Sequence, residues 1–307
     1  MSKTHGRHRG WNPFWAALGA ALLVLLPLVG GTVLLSRQRL DQQLRQAAHS
    51  QSSIPVQLPK ATDQLTVLLC TAGPQPGFLL AYLNASQNCL HLLAIPAQLQ
   101  VPFGEDQATL AHCYAAAGPA RCRQALASQL PLPEDTRYLA LSEAVLERLA
   151  QRYGPVRVGF SGALTARELA RCGRSTQVQG LSAAEAHSFL TQLEDQDLVP
   201  WGHRAAARAA VWDAFFRQNL ELLPSTLPQG LEQVSSALLT DLTALDLATL
   251  ERVLEFLANG QAVPQAQALP GLETGQGYAL TPDSLAAVQS FFNVSPTPGQ
   301  ASSAKEP

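Results

Sequence analysis

Few side chains in this sequence could carry chemistry unaided, and they are scattered. The five cysteines are Cys70, Cys89, Cys113, Cys122 and Cys172, and their spacing matches no zinc pattern. An odd number outside a membrane allows two disulfides and one free thiol. Cys70 and Cys89, on neighbouring predicted strands, are then the favoured pair. The equally open reading is five small buried hydrophobes in a reducing setting. His112, His187 and His203 are isolated in sequence and read as structural or exposed before they read as bases. Ser161 stands in Gly159-Phe160-Ser161-Gly162, but Ala163 breaks the Gly-x-Ser-x-Gly elbow, so a hydrolase is poorly supported. Asp197, Arg204 and Arg208 lie near a helix start, where charges ordinarily face water.

The elements that must position these residues begin at Leu65. Three apolar runs, Leu65–Cys70, Phe78–Leu83 and Cys89–Ile95, are separated by Gly73-Pro74-Gln75-Pro76-Gly77 and Asn84-Ala85-Ser86-Gln87-Asn88. Runs of this length between Gly, Pro and Asn predict buried strands, and the Asn/Ser turn predicts a hairpin of the second and third. Strands with so little alternation belong to a sheet covered by helices on both faces. Downstream, the pattern predicts a helix over 109–130 interrupted at Gly118-Pro119, a strand at Tyr138–Leu141 and a helix over 143–153 capped by Ser142. A strand at Val156–Phe160 follows, and then a helix opened by Ser182 with Glu185 in capping-box position. A long helix to Leu220 carries Val211, Trp212, Phe215 and Phe216 on its apolar face. Helices are expected from Thr240 to Leu257 and from Thr281 to Phe292, with a short strand over Gly277–Leu280 before the second. The fold class is therefore α/β, a central mixed sheet with helices on both faces.

Composition bounds the rest. Charged residues make up 14% of the 307 and the formal net charge is −2, so nucleic acid is not an expected partner. Trp11 to Leu35 holds no charge over about 25 residues, enough to span a bilayer. Trp11 and Trp15 suit its interface, and Lys3, Arg7 and Arg9 precede it. The expected organisation is a cytoplasmic tail at 1–10, a transmembrane helix at 11–35 and a juxtamembrane stalk at 36–63. An extracytoplasmic domain at 64–293 and a disordered tail at 294–307 complete it. The expected location is thus the cell membrane, single-pass. A cleaved signal peptide and a buried core helix are the rival readings of 11–35.

The order of these elements and several short motifs resemble the LytR-CpsA-Psr family of cell-envelope proteins over roughly 64–293. The family's hairpin ends in Ile-Pro-Arg-Asp, and Ile95-Pro96-Ala97-Gln98 stands there. Tyr114, Gly118 and Pro119 match a family Tyr and Gly-Pro, while Ala111 replaces an Asn. Gly202-His203-Arg204 stands near a Gly-Arg pair, Asp197 near a family Asp, and Ala268-Leu269-Pro270-Gly271 at a Leu-Pro-Gly strand end.

The resemblance implies transfer of anionic glycopolymers from polyprenyl-phosphate carriers to the cell wall. It implies arginines that clamp phosphate, carboxylates that hold Mg²⁺ and an apolar groove for the lipid. Most of those charges are substituted here. Gly77 stands for the Asp of an Asp-Thr motif, Ala97 and Gln98 for Arg-Asp, and Thr191-Gln192-Leu193 for Arg-x-Arg. What the resemblance leaves for the reaction is Arg204 and Asp197, with Arg208, Gln98, Phe78 and Leu80 as substrate-binding candidates. Two functions follow. One is a transferase with replacement ligands, in which Arg204, Asp197 and Glu105 or Asp106 converge beside Gln98. The other is a non-catalytic envelope protein that binds lipid, glycan or partner and keeps an apolar cavity without a charged mouth.

Overall fold

The computed structural model of the protein describes residues 58–73 and 75–292. The segments expected at 1–10, 11–35 and 294–307, and most of the 36–63 stalk, lie outside them. Among the described residues no helix is long and apolar enough to cross a membrane.

The three apolar runs form strands β1 (Gln64–Thr71), β2 (Gly77–Asn84) and β3 (Cys89–Ile95), an antiparallel meander with Thr71 opposite Gly77 and Phe78 opposite Ile95. Asn88 takes the left-handed φ of 49° in the β2–β3 turn, which asparagine tolerates. β4 (Gln100–Phe103) and β5 (Asp106–Thr109) then form a small hairpin, so the acidic stretch at 103–106 is its exposed tip. Helix α1 (Leu110–Ala127) kinks at Gly118, φ 76°, and Pro119 restarts it, as the Gly-Pro pair predicts.

After β6 (Arg137–Leu141) come α2 (Glu143–Ala150), β7 (Val156–Gly159), α3 (Ala166–Arg171) and β8 (Val178–Leu181). Next are α4 (Ala183–Glu194), α5 (Trp201–Asn219) and α6 (Leu223–Gln233). The chain finishes with β9 (Leu239–Thr240), α7 (Ala244–Asn259), β10 (Gln265–Ala268), β11 (Leu272–Thr274), β12 (Gly277–Ala279) and α8 (Pro282–Phe292). Ser182 and Glu185 do form a reciprocal capping box, as do Thr165 with Glu168 and Thr243 with Asp246. Each such cap stabilises its helix by about 1 kcal/mol.

The central sheet has the order β10-β3-β2-β1-β6-β9. Pairs β1–β6 and β3–β10 are parallel, the others antiparallel, so the sheet is mixed. β7 and β12 stay out of it and pair with β8 and β11 in two-stranded ribbons. Helices cover both faces. One face, with Leu68, Cys70, Phe78, Leu80 and Leu93, packs on α1 and α8. The other, with Val67, Leu69, Leu79, Ala81 and Leu139, packs on α2, α5, α6 and α7. A third cluster joins the β7–β8 ribbon to α3, α4 and α5 through Phe160, Phe189 and Val211.

This register corrects the favoured disulfide. Cys70 lies in the row of Phe78 and Ile95, whereas Cys89 lies opposite Asn84 at the far end of the hairpin, with β2 between them. Two such positions are much farther apart than the roughly 7 Å that a disulfide can bridge. All five cysteines are buried free thiols.

Candidate functional site

Alternate residues of β1, β2 and β6 stack in rows on the face that meets α5. Leu69 pairs with Leu79 and Leu139, and the next row joins Thr71 to Gly77 and Leu141. Val67, Leu69, Ala81, Leu83, Leu139 and Leu141 form the floor of a cavity of about 170 Å³. Its roof includes Leu149 of α2, Trp212 and Phe215 of α5, Leu231 of α6 and Leu250 of α7. Walls of this kind stay dry and admit apolar molecules; a void of about 150 Å³ lined by similar side chains holds a small hydrocarbon. Trp212, Phe215 and Phe216 interlock edge-on and tilted, at centroid distances of 5.5 to 6.2 Å, which fixes the roof.

One row beyond Leu69 the surface changes character. Arg208 reaches from α5 across Gly77, and a Cβ on residue 77 would stand 2.5 Å from its Nε and 2.6 Å from Thr71 Oγ1. Only glycine admits the guanidinium there. Arg208 Nη2 donates to Glu194 Oε1 at 2.8 Å, with side-chain exposures of 4% and 6%. Arg208 Nη1 is buried and has no hydrogen-bond partner.

Arg204 lies one turn earlier on α5, and its guanidinium serves the backbone. Nε donates to Val199 O at 2.9 Å, Nη1 to Glu194 O at 2.5 Å and Nη2 to Gln196 O at 2.6 Å. It thereby satisfies carbonyls left open at the C-terminal end of α4 and in the turn to α5. Its Nη1 also stands 3.7 Å from Glu194 Oε2, so the Glu194 carboxylate sits between two guanidinium groups.

The other expected residues are placed elsewhere. Asp197 is exposed in the α4–α5 turn. Gln98 is half-buried after β3, and its carbonyl accepts from the Tyr278 N–H at 2.8 Å. Phe78 and Leu80 are fully buried on the opposite face, under α1, with Phe78 edge-on to Tyr114 at 5.8 Å. They belong to the core and do not line the cavity; the floor of the cavity uses the alternate residues of the same strands. Glu105 and Asp106 are exposed at the tip of the β4–β5 hairpin, which packs with α1. Of the residues that a transferase with replacement ligands would bring together, Arg204 is engaged by backbone carbonyls and Asp197 is exposed.

Sequence reading missed Glu194. Its signal is positional, since it stands beside Ala186, Phe189 and Leu193 on the buried side of α4. An acid in such a place needs a partner.

The carboxylates of this region do not suit Mg²⁺, which wants free oxygen ligands. Glu194 is committed to arginine, Gly77 offers none, and the neighbouring Asp195 accepts from Gln75 at 3.3 Å on the surface. Among the described residues no group of three His, Cys, Asp or Glu is arranged to hold a metal.

No family model matches the sequence, and no curated protein matches it. Solved structures do. A LytR-Csp2A-Psr enzyme from Actinomyces oris superposes with a TM-score of 0.54 at 18% identity, covering 76% of this chain and 93% of that one. TagT from B. subtilis gives 0.57 at 14% identity, covering 77% and 93%. TagT bound to LIIa-WTA gives 0.58 at 16% identity, covering 75% and 90%. The likeness is one of fold, and it spans nearly the whole of each of those chains.

Proposed function

We infer that this chain, which has the LytR-CpsA-Psr fold, is a divergent cell-envelope member of that family that binds a long apolar chain and does not transfer it. The observation that carries this reading is the apolar cavity on the α5 face of the sheet, lined by Leu69, Leu139, Trp212 and Phe215 among others. An apolar chain entering the cavity exchanges water for Leu69, Leu139, Trp212 and Phe215, a gain of roughly 25 cal/mol for each Å² buried. The resting volume holds only the leading segment of a polyprenyl chain. A longer ligand parts the helices of the roof or leaves its tail outside.

Transfer chemistry needs preorganised charge at the phosphoryl group. Here Arg204 is spent on three carbonyls and Arg208 on a carboxylate, and among the described residues no group of three His, Cys, Asp or Glu is arranged to hold a metal. The 11–35 segment anchors the chain in the cell membrane and sets the domain outside it, where polyprenyl lipids and wall glycopolymers are the partners at hand.

The experiment is mass spectrometry of lipids extracted from the full chain after purification, beside an Ala81→Phe variant. Ala81 lies on the cavity floor, and a phenyl ring there fills the space. A polyprenyl or other long-chain lipid that accompanies the wild-type chain and is lost from the variant supports the reading. Equal lipid in both, or none in either, overturns it.

A further inference from the structure

Strand β10 is the outermost strand beside β3, and among the described residues no strand pairs with its other edge. One bond fixes which of its peptide groups face outward. The Leu269 N–H donates to Ala94 O at 2.8 Å, toward β3. Peptide groups alternate along a strand, so Gln265 and Gln267 also face β3, and the N–H and C=O of Ala266 and Ala268 face away from it. Folded proteins ordinarily blunt such an edge with charge or proline, or cover it. Gln265-Ala266-Gln267-Ala268 carries no charge and no proline.

This edge is one wall of a groove of about 1120 Å³. The other wall includes Arg157, Gly159 and Ser161, and Ala206 and Ala210 of α5 lie in its floor. Both walls are tied to α5. Arg217 Nη2 donates to Pro264 O at 2.9 Å beside β10, and the Gln218 side chain exchanges bonds of 2.9 and 3.0 Å with the backbone of Arg157. A groove held in this way needs little rearrangement when a chain enters it.

The protein's own chain is delivered to the groove. Helix α8 runs back along β10. Ser284, near its start, donates to Pro270 O at 2.6 Å, and Phe291 O, near its end, meets Nδ1 of His91, which pairs with Gln265. Ser290 and Phe291 themselves line the groove, and residues 293–307 follow. Alone, so polar a segment buries too little to hold a conformation. A preformed strand edge supplies the missing partner.

The direction of pairing follows from the topology. Parallel crossovers share one hand almost without exception. α1 carries the chain from β3 to the parallel strand β6 across the face that α8 also covers. A strand beyond β10, parallel to it and reached over α8, would be displaced the opposite way and wind in the other hand. The segment must therefore reverse before it pairs. Thr297-Pro298-Gly299-Gln300 carries the signature of a type II turn, with Pro second and Gly third. Residues 293–297 span up to about 17 Å when extended, more than the length of a four-residue strand. After the turn, Ala301-Ser302-Ser303-Ala304 has no proline and only small side chains, which suit the shallow floor at Ala206 and Ala210. We propose that residues 300–304 add to the free edge of β10 as an antiparallel strand bonded to the peptide groups of Ala266 and Ala268, so that the chain covers this side of its own sheet. The proposal does not depend on what the apolar cavity binds.

The test is amide hydrogen exchange of the full chain in nanodiscs, beside a chain ended after Phe292. The Ala266 and Ala268 amides should exchange at least tenfold more slowly in the full chain. The double variant Ser302→Pro with Ser303→Pro removes a donor from whichever residue faces β10, so it should abolish that protection. Thr297→Pro lies in the crossing arm and should leave it intact. Equal exchange in the full and shortened chains overturns the proposal, and so does protection that survives the double variant. Protection that survives removal of 293–307 and grows with protein concentration assigns the edge to a second copy instead. If the shortened chain does not fold, the two proline variants of the full chain decide.

Discussion

Gly77 and Arg208 are fitted to each other, for the guanidinium of one lies in the space that a side chain on the other would fill. Gly77→Ala should therefore act through Arg208. The added methyl displaces the guanidinium from Glu194, at a cost of about 1–3 kcal/mol, the range for overpacking a filled interior. Combining it with Arg208→Ala should recover part of that loss, because the obstructed group is gone. Urea unfolding of the two single variants and the double variant measures the coupling, and strict additivity would refute it.

Breaking the buried pair on one side should cost more than removing it whole. Arg208→Ala leaves the Glu194 carboxylate with only Arg204 at 3.7 Å. The expected loss is about 3 kcal/mol, at the lower edge of what an orphaned buried charge costs. Arg208→Met with Glu194→Leu should be nearly neutral. Thermal and denaturant unfolding report both.

Acid should weaken the domain partly through Asp63. Burial alone would raise its carboxyl pKa, but the Lys60 N–H and Arg252 Nε, each at 2.8 Å, outweigh this and hold it below the usual carboxylate range. A depressed folded pKa means the contribution is complete above about pH 4, the ordinary Asp value, and is lost as pH falls through the lower folded value. Asp63→Asn should lower stability at neutral pH and leave a shallower acid limb. Urea midpoints between neutral pH and about pH 3, below that ordinary value, check the sign.

The thiols should be inert in the folded protein. Burial pushes the Cys89 thiol up to about 11 and raises those of Cys70, Cys113, Cys122 and Cys172 as well. The thiolate is the reactive form. An aromatic disulfide reagent should find almost no thiol under native conditions and all five after unfolding in urea. A titre two or four lower would reveal disulfides.

Most of the framework could be read from residue order because local rules and tertiary packing agree there. The apolar runs at 65–70, 78–83 and 89–95 became β1, β2 and β3 to within a residue or so, and Ser182 with Glu185 opened α4. α6 was not legible: its sequence LPSTLPQGLEQ carries two prolines and a glycine, and packing of Leu223 and Leu231 on the sheet overrides that composition. The site was legible only in part. Arg204 and Arg208 look equivalent in sequence, four residues apart on one helix, yet one meets carbonyls and the other a carboxylate. Phe78 and Leu80 pack under α1 while their strand neighbours line the cavity, and because a fully buried strand shows no alternation, nothing local says which neighbours line a void.

The cavity also joins parts of the chain that lie far apart in sequence. Its floor comes from residues 67–83 and 139–141, and its roof reaches Leu250, while β10 locks onto β3 only at Gln265. Contacts of such wide sequence separation close late in folding. A molecule lodged in the cavity thus ties the N-terminal meander to helices that follow it by more than a hundred residues in sequence. Loading it should slow unfolding of the whole domain, making occupancy visible as a longer lifetime of the native state.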